Sequence, residues 1–475
     1  MNGRLSALDD SFLAVESAAA HMHVGWAATF RVAEGRPRPS FTELRDHIEA
    51  RLPRAPRYRQ RLAGVPLGLD APIWVDDEEF DVSRQVVASD ASHFQDLVDS
   101  CMSEQLPRDR PLWQICVAER LEDGRIGLVG KAHHCMVDGI AAVELGSLLL
   151  DPSRDPPRPE PDHWRPGSVP GPLQRLAGSV RDRAWEAASV GRQAVRIASS
   201  PNRLTELLDE ARRAAGALAQ AIRPTEPMEP VNQPITPARH LSWFDRPFDD
   251  LKRIGRAFDV SANDVLLSAS ASGVRRFVRG RDRDPESLKT MVPVNVRGGD
   301  GASELGNRIS FVFIDLPCDE PDPVRRLRDV HLEMSRRKEA GDPAAADSAL
   351  EAVKYLPRPA RHAISRMIAS PRTFNLTVSN IPGPREPMYM CGCELEAAYP
   401  VVPIADQHAV SIGMTSVGDR ACFGVYTAKE CLPDADRLGA AIDASIDELL
   451  EQAEYRGNGQ ARESVSVEPD SSPSG

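Results

Sequence analysis

Proline is unevenly distributed along this chain, and its distribution limits the folds that the chain can adopt. The segment 151–172 holds 8 of the 40 prolines, and a second proline-rich segment lies at 223–239. Proline fixes φ and lacks a backbone donor, so neither segment can form a helix interior or a central strand. The chain is therefore predicted to form two folded parts, 1–150 and 240–455, joined by a proline-rich and helical connector at 151–239.

The length of the chain agrees with this division. At 475 residues it exceeds what one hydrophobic core usually serves, and about 150 residues per domain predicts two to three units. The last segment, 456–475, is polar and lacks aromatic residues. We predict that it is a disordered tail.

Both folded parts alternate strand patterns with helix patterns. In the first part, residues 22–32 are rich in strand-forming side chains, and Ser40-x-x-Glu43 is a capping box that opens a helix. Residues 111–121 and 125–134 predict a hairpin turned at Glu-Asp-Gly, and 140–150 predicts a helix. The second part alternates in the same way, so we expect an α/β fold.

Composition and charge exclude several classes of protein. The net charge of −12 argues against a nucleic-acid binder, and none of the 8 cysteines forms a CxxC pair. We expect reduced thiols, as is usual in the cytosol. The first residues contain acids and no apolar run typical of a signal peptide, and no apolar stretch approaches about 18 residues. A cytoplasmic protein without a membrane span is therefore expected.

The stretch KAHHCMVDGIAAVEL, residues 131–145, carries the most distinctive chemistry. His133 and His134 fall at the end of a predicted strand, and Asp138-Gly139 falls at the entry to the next helix. Strand alternation turns the two imidazoles toward opposite faces, so only one can line a given pocket. Gly139 would permit a tight turn where the backbone crowds a site.

Three roles can explain the paired histidines. They can be hydrogen-bonded structural groups, with Asp138 capping the helix; they can bind a metal ion; or one of them can be a general base. A metal site would need further ligands at suitable spacing, and none is adjacent. The chain has no G-x-S-x-G, P-loop or G-x-G-x-x-G motif. Without a cofactor motif, a lone base suggests direct transfer between two bound substrates, and the structural role stays open.

His133, His134, Asp138 and Gly139 form an HHxxxDG signature, which resembles that of the chloramphenicol acetyltransferase-like, CoA-dependent acyltransferases. Further blocks resemble the bacterial wax ester synthase/diacylglycerol acyltransferase family, in the family's order and over nearly the whole chain. A departure occurs at Ala18–His21, where a proline-bearing segment is expected. The blocks are LSALDDSFLAVES…MHVGW (5–26), PLW (111–113), NDV (263–265), PVNVR (293–297), LGNRIS (305–310) and SNIPGP (379–384).

This resemblance implies both a fold and a reaction. The implied fold has two chloramphenicol acetyltransferase-like subdomains, with mixed sheets flanked by helices and an active-site tunnel between them. The implied reaction is acyl-CoA-dependent O-acylation of diacylglycerol, of long-chain alcohols or of both, giving triacylglycerol or wax ester. Acyl-CoA is then a substrate, and neither a cofactor nor a metal is expected.

The resemblance also implies roles for individual residues. His134 would be the general base, and His133 would support the loop. Asp138 would be structural, with Arg297 as a candidate partner. Asn263 would stabilise the oxyanion of the tetrahedral intermediate, although the segment around it also fits a capping box, Ser261 to Asp264, that opens a helix.

Other residues of the resembling blocks are candidates for substrate binding. They could shape the substrate channel, or they could be turn and packing residues. SNIPGP would hold a rigid loop near the tunnel, and PLW is expected to pack in the core. The substrate-binding candidates are Asn295, Arg297, Asn307, Arg308, Ser379 and Asn380.

The connector carries six arginines and Trp185 within 173–203. Such a helix could lie on a membrane or on a lipid inclusion, or it could simply be solvated. Two other functions remain open beside lipid esterification. One is acyl transfer to another alcohol or from a carrier-bound acyl group, and the other is a non-catalytic lipid-surface protein of the same fold.

Overall fold

The computed structural model describes residues 3–136, 149–157, 159–160, 162–198, 212, 216, 223–281, 283–295, 309–341 and 356–465. These residues form two large mixed β-sheets, a two-stranded sheet and helices that pack against them. The predicted α/β class is confirmed.

The first part of the chain begins with a helix that the sequence patterns did not predict, α1 (Ala7–Val15). Ser6 caps this helix by accepting a hydrogen bond from the Asp9 amide. The strand predicted at 22–32, the Ser40–Glu43 capping box and the hairpin are confirmed. The following elements are β1 (His23–Arg31), α2 (Phe41–Glu49), β2 (Gln60–Ala63), β3 (Ile73–Asp76), β4 (Val86–Ala88), α3 (Phe94–Ser103), β5 (Trp113–Ala118) and β6 (Ile126–His133).

Acidic side chains fasten the proline-rich segment to the first part of the chain. Asp155 accepts two hydrogen bonds of 2.7 Å from Arg36, and Asp162 pairs with Arg59. The described residues of 151–171 contain no helix, as predicted. The segment is thus extended, and these two ion pairs hold it against the first part of the chain.

The remaining elements follow the predicted alternation, with additional helices and strands. They are α4 (Pro172–Ala198), β7 (Arg239–Pro247), α5 (Phe248–Phe258), α6 (Ala262–Arg279), β8 (Leu288–Asn295), β9 (Ile309–Leu316), α7 (Pro323–Glu339), α8 (Arg358–Ile368), β10 (Leu376–Ile381), β11 (Tyr389–Met390), β12 (Cys393–Val401), β13 (Val410–Val417), β14 (Arg420–Ala428) and α9 (Ala435–Val465).

The two large sheets do not divide at the predicted boundary. One has the strand order β11-β12-β1-β6-β5-β4, and the other has the order β7-β14-β13-β10-β8-β9. β12 belongs to the second part by sequence, but it pairs antiparallel with β1, with Gly25 opposite Val401. Residue 240 therefore separates the parts in sequence and not in the sheets. Periodicity identifies a strand without specifying its partner.

Glycines of the second sheet allow β12 to approach it closely. A Cβ atom at Gly424 would lie 2.3 Å from the carbonyl oxygen of Pro400, and one at Gly413 would lie 2.9 Å from Val402. Any side chain at Gly424 would push the strands apart. The two sheets consequently meet at the end of β12.

The C-terminal helix extends beyond its predicted end. α9 continues to Val465, past the start of the predicted tail at residue 456, and the disordered tail stays a prediction. Extending an existing helix adds one hydrogen bond for each residue fixed, so polar residues can continue it. Residues 466–475 lie outside the described residues.

The sequence predicts reduced cysteines and no membrane-spanning segment. All eight cysteines are free thiols, as predicted. None of the helices in the described ranges combines the length and the apolar character that crossing a bilayer requires.

Candidate active site

The paired histidines lie where β6 ends, beside β1. His133 is opposite His23 in the antiparallel pairing, and the amide of His134 donates a 2.9 Å hydrogen bond to the carbonyl of Met22. The PLW block contributes to the same region, since the His133 amide donates to the Leu112 carbonyl at 2.9 Å. Backbone hydrogen bonds thus fix both histidines on the strand pair.

His133 is almost completely buried, and its surroundings keep it neutral. Its Nδ1 atom accepts a 3.1 Å hydrogen bond from the Cys135 amide, so the proton of the neutral ring is on Nε2. Burial, with a smaller contribution from the positive charge of Arg108, lowers the pKa of His133 to about 3. Nε2 lies 3.7 Å from a Glu16 carboxylate oxygen. This histidine is therefore hydrogen-bonded to the segment that follows it and does not face open solvent.

His134 lies in different surroundings. Its imidazole is half-buried and stacks on the ring of Phe12, with 3.7 Å between centroids and 10° between planes. Phe12 belongs to α1, the helix that the sequence patterns did not predict. One face of the imidazole is covered, and the side chain is only partly enclosed. Its role as a general base stays a prediction.

The second part of the chain holds α1 in place. The carboxylate of Asp10 is 1% exposed. Arg358 of α8 donates hydrogen bonds of 2.9 and 3.1 Å to it, and His362 lies 3.0 Å from it. Sequence reasoning missed Asp10 and Phe12 as functional candidates. Both were visible within the block LSALDDSFLAVES, but nothing local showed what they contact.

An apolar pocket lies between the two sheets, against β1, the strand that pairs with β6. It contains about 630 Å³ of space, part of it open to solvent. Its lining is almost entirely carbon, as is usual for a site that receives hydrocarbon chains. The lining residues include Trp26, Ala28 and Phe30 of β1, Leu395 and Pro400 of β12, and Thr415 and Val417 of β13.

The SNIPGP block forms one border of this pocket. Ile381 and Pro384 line it, and a Cβ atom at Gly383 would lie 1.9 Å from the carbonyl oxygen of Ser416. The predicted binding residues of this block are not in the lining: Ser379 is buried within β10, and Asn380 is exposed. The loop therefore contacts the pocket through its apolar residues.

Asn263 lies in the first turn of α6. The predicted capping box is confirmed, because the Ser261 hydroxyl accepts from the Asp264 amide and the Asp264 carboxylate accepts from the Ser261 amide. His331 also contacts this carboxylate at 3.0 Å. Asn263 is half-buried, and no hydrogen bond joins its side chain to another described residue. Its oxyanion role stays a prediction.

Several predicted site residues lie outside the described residues. They are Asp138, Gly139, Arg297, Asn307 and Arg308. Asn295 ends β8, where its backbone is opposite Ile309. The pairing of Asp138 with Arg297 and the binding roles of this group stay predictions.

Metal binding was one possible role of the paired histidines. Among the described residues, no group of three or more histidine, cysteine and acidic side chains could hold a metal ion.

The tryptophan of the PLW block packs in the core. Trp113 is 2% exposed and donates a 2.8 Å hydrogen bond to the Tyr58 carbonyl, which confirms its predicted packing role.

Comparison with known proteins identifies the family. Residues 5–266 match the wax ester synthase/diacylglycerol acyltransferase catalytic domain, and residues 305–450 match the WS/DGAT C-terminal domain. A probable diacylglycerol O-acyltransferase of Mycobacterium tuberculosis H37Rv is 32% identical over 458 residues, which cover 94% of this chain and 95% of that protein. The O-acyltransferase WSD of Acinetobacter baylyi is 27% identical over 454 residues, covering 93% and 96%.

Solved structures share the fold. A wax ester synthase/diacylglycerol acyltransferase from Marinobacter aquaeolei VT8 superimposes with a TM-score of 0.67 at 24% identity, covering 95% of this chain and all of that one. The first condensation domain of the calcium-dependent antibiotic synthetase, with a substrate analogue bound, gives a TM-score of 0.57 at 14% identity, covering 95% and 96%.

The two-sheet fold and the paired histidines at the end of β6 define a class of two-part α/β acyltransferases. Within it, the chain belongs to the wax ester synthase/diacylglycerol acyltransferase family, as the sequence resemblance indicated. The site combines one neutral, fully buried histidine, one half-buried histidine stacked on an aromatic ring, and an apolar pocket. Such an arrangement suits proton abstraction from a lipid hydroxyl.

Proposed function

We propose that this chain transfers an acyl group from acyl-CoA to the free hydroxyl of diacylglycerol, of a long-chain alcohol or of both, with His134 as the general base. The observation that supports this most is the position of His134. Its half-buried ring is stacked on Phe12 at the end of β6. β1, which pairs with β6, also lines the apolar pocket.

The proposed reaction has two steps. The acceptor oxygen attacks the thioester carbonyl carbon while His134 takes the hydroxyl proton, which gives a tetrahedral oxyanion. The intermediate then expels the CoA sulfur, which receives the proton from the imidazolium, and the ester remains. The amides at the N-terminus of α6, together with Asn263, are the candidate donors to the oxyanion.

A radiolabelled acyl-transfer assay tests this proposal. Wild type, His134→Ala and the control His93→Ala, which removes an exposed histidine of the first part, each receive palmitoyl-CoA with diacylglycerol or hexadecanol. We expect labelled triacylglycerol or wax ester, a loss of roughly 10²–10⁴-fold in His134→Ala, and near-wild-type activity in the control. CoA release without either lipid points to another acceptor. No turnover by folded wild type supports a non-catalytic role.

We also propose that the protein acts in the cytoplasm, against an anionic membrane or lipid-inclusion surface, through the outer face of α4. Ser179 and Arg183 bind Asp70 and fix the inner face of this helix. On the remaining surface, Leu173 is 81% and Trp185 is 68% exposed. Exposed apolar side chains on an arginine-bearing helix are typical of interfacial binding.

A neighbouring turn adds to this apolar surface. Leu67 is 89% exposed and has a φ of 60°, which costs energy for a leucine. Flotation with anionic liposomes tests the surface: Leu67→Ser combined with Trp185→Ser should remove most binding. Tyr455→Ser, which changes another exposed side chain, should not. If the double variant floats with the liposomes as wild type does, this surface does not bind the membrane.

A further inference from the structure

The carboxylate of Glu16 lies beside the buried member of the histidine pair. Its Oε2 atom is 3.7 Å from Nε2 of His133 and forms an ion pair with Arg108, and its Oε1 atom accepts a 2.9 Å hydrogen bond from Gln105. The Glu16 side chain is only 7% exposed. A charge that is buried to this extent is normally paired and hydrogen-bonded. Here those contacts hold it next to the segment 133–136, which we call the histidine turn.

The ring of His133 has a donor that this carboxylate can serve. Nδ1 accepts a hydrogen bond from the Cys135 amide, so the proton is on Nε2. This buried N–H has no hydrogen-bond partner within the described residues, and buried donors are normally satisfied. The Glu16 carboxylate needs only a small movement to accept from it. Hydrogen bonds that order a catalytic site are often loose until substrate binds.

One helix end reaches both histidines. Glu16 ends α1 as its C-terminal cap residue, and Phe12, four residues earlier, stacks on the ring of His134. Residues four apart lie on one face of a helix. The same face of α1 therefore meets the histidine pair twice, with an aromatic ring on His134 and with a carboxylate beside His133.

Arg108 balances the charge of Glu16. Its side chain is 44% exposed, and its positive charge adds to burial in lowering the pKa of His133. A carboxylate and a guanidinium thus act on one imidazole with opposite signs. Further charged or titratable groups face the histidine turn from α1, from β1 and from the segment before β2. They are Asp9, Asp10, His23 and Arg57.

We propose that Glu16 is a positioning residue of the acyl-transfer site: its carboxylate, balanced by Arg108, orients the buried His133 and keeps the histidine turn in the arrangement from which His134 takes the proton. The inference rests on the proposed role of His134 as the base. Glu16 acts through His133, so its loss should change kcat and leave KM for both substrates nearly unaltered.

Substitutions at Glu16 separate orientation from charge. Glu16→Leu removes the acceptor oxygen and should lower kcat roughly tenfold or more, because a buried donor is left unsatisfied. Glu16→Gln keeps an acceptor oxygen in the same place and should recover kcat to within about threefold of wild type. Steady-state kinetics at the pH optimum measure both values. A loss that the glutamine variant does not recover would contradict the orienting contact.

The acid limb of the pH–rate profile reports the charge pair. Glu16→Gln removes a negative charge that favours the imidazolium, so the limb should move to lower pH by about 0.3–1 unit. Arg108→Gln removes a positive charge and should move the limb to higher pH by a similar amount. A residue that merely supports the fold does not produce opposite shifts. Limbs that move in the same direction, or that do not move, overturn the proposal.

An exposed ion pair provides the matched controls. Glu454 of α9 and Arg253 of α5 are 61% and 42% exposed, so Glu454→Gln and Arg253→Gln should leave kcat and the acid limb unchanged. Thermal unfolding checks that every variant folds. If Glu16→Leu does not fold, the shifts in Glu16→Gln and Arg108→Gln decide the question.

A titration without turnover separates failure of this inference from failure of the proposed function. The Cε1 resonance of His134 in isotopically labelled protein is assigned by its absence from His134→Ala. It is then followed against pH in wild type, Glu16→Gln and Arg108→Gln. Midpoints that shift in opposite directions support the charge pair even if no acyl transfer is found. Equal midpoints in the three proteins overturn it even if the chain proves to be an active acyltransferase.

Discussion

The imidazole of His134 and the phenyl ring of Phe12 are stacked, with centroids 3.7 Å apart and planes 10° from parallel. Two residues before Phe12, on the same helix, Asp10 binds Arg358 and His362 of α8. The proposed base is therefore positioned by α1, and α1 is positioned by the second part of the chain. This connection suggests two separate tests.

Replacing Phe12 tests whether the stack assists the base. When His134 takes a proton it becomes an imidazolium, and the face of an aromatic ring stabilises a cation by about 0.5–2 kcal/mol. Phe12→Leu should therefore lower kcat roughly 2- to 30-fold. The acid limb of the pH–rate profile should also move to lower pH, because the charged form loses a favourable contact.

Steady-state kinetics from pH 5 to pH 9 measure both effects. Phe41→Leu replaces a half-buried phenylalanine of α2 and should leave the acid limb in place. A fall in kcat without a shift of the limb would mean that Phe12 only fills space.

Replacing Asp10 tests the link between the two parts. Its carboxylate is 1% exposed and contacts three cationic or basic side chains, Arg358, Arg361 and His362. Breaking a buried pair leaves uncompensated charge, so Asp10→Asn should lower the free energy of unfolding by about 3–5 kcal/mol. Urea titration measures this change.

An exposed pair provides the control for this prediction. Asp249 and Arg256 are 62% and 68% exposed, and such pairs contribute about 0–1 kcal/mol. Asp249→Asn should accordingly have almost no effect. Equal stability of the two variants would contradict the proposed importance of the α1–α8 contact.

Short-range sequence patterns were sufficient to predict part of this structure. The capping box at Ser261, the hairpin before His133 and the strand that includes Trp26 are each determined by residues close in sequence. The position of His134 at a strand end follows from the same kind of signal. The family resemblance then supplied its proposed role as the general base.

Contacts between distant segments could not be predicted in this way. Arg358 follows Asp10 by 348 residues, and no periodic pattern links the two. The pairing of β12 with β1 is a similar case, because alternation shows that a strand is buried without showing which neighbour it meets. The Phe12 stack and the pocket lining depend on such contacts.

Buried histidines should make this protein less stable at mildly acidic pH. Burial is the largest cause that lowers the pKa of His133 to about 3, and of His21 and His47 to about 4. In the unfolded chain these rings titrate near pH 6.5. Below that pH the unfolded state binds protons that the folded state does not, so stability present above pH 6.5 is lost as the pH falls toward 4.

The size of this loss can be measured by urea titration at pH 7.5 and pH 5.0. Each such histidine contributes about 1.4 kcal/mol per pH unit within this window. His240 acts in the opposite direction, because hydrogen bonding to Asp99 raises its pKa, but the group of histidines with a lowered pKa is larger. The urea midpoint should fall clearly at pH 5.0. Equal urea midpoints at pH 7.5 and pH 5.0 would show that these rings take up protons while the chain is folded.

The SNIPGP loop offers a test of the pocket wall. Gly383 has no room for a side chain, since a Cβ atom would lie 1.9 Å from the Ser416 carbonyl oxygen and 2.7 Å from the Thr415 hydroxyl. Both atoms belong to β13: the first is a backbone oxygen and the second is a side-chain hydroxyl. The loop must therefore move as a unit, and Ile381 and Pro384 in the pocket wall move with it.

Gly383→Ala should consequently reduce both stability and acyl transfer. Forcing a methyl group into a packed site costs about 1–3 kcal/mol, and displacement of the pocket wall should raise KM for the lipid acceptor more than KM for acyl-CoA. Gly64→Ala is the matched control, because a Cβ atom there would meet nothing within 4 Å. Thermal unfolding and acceptor titrations measure the two effects. If Gly383→Ala lowers stability but leaves acceptor KM unchanged, the loop supports the fold and does not shape the acceptor pocket.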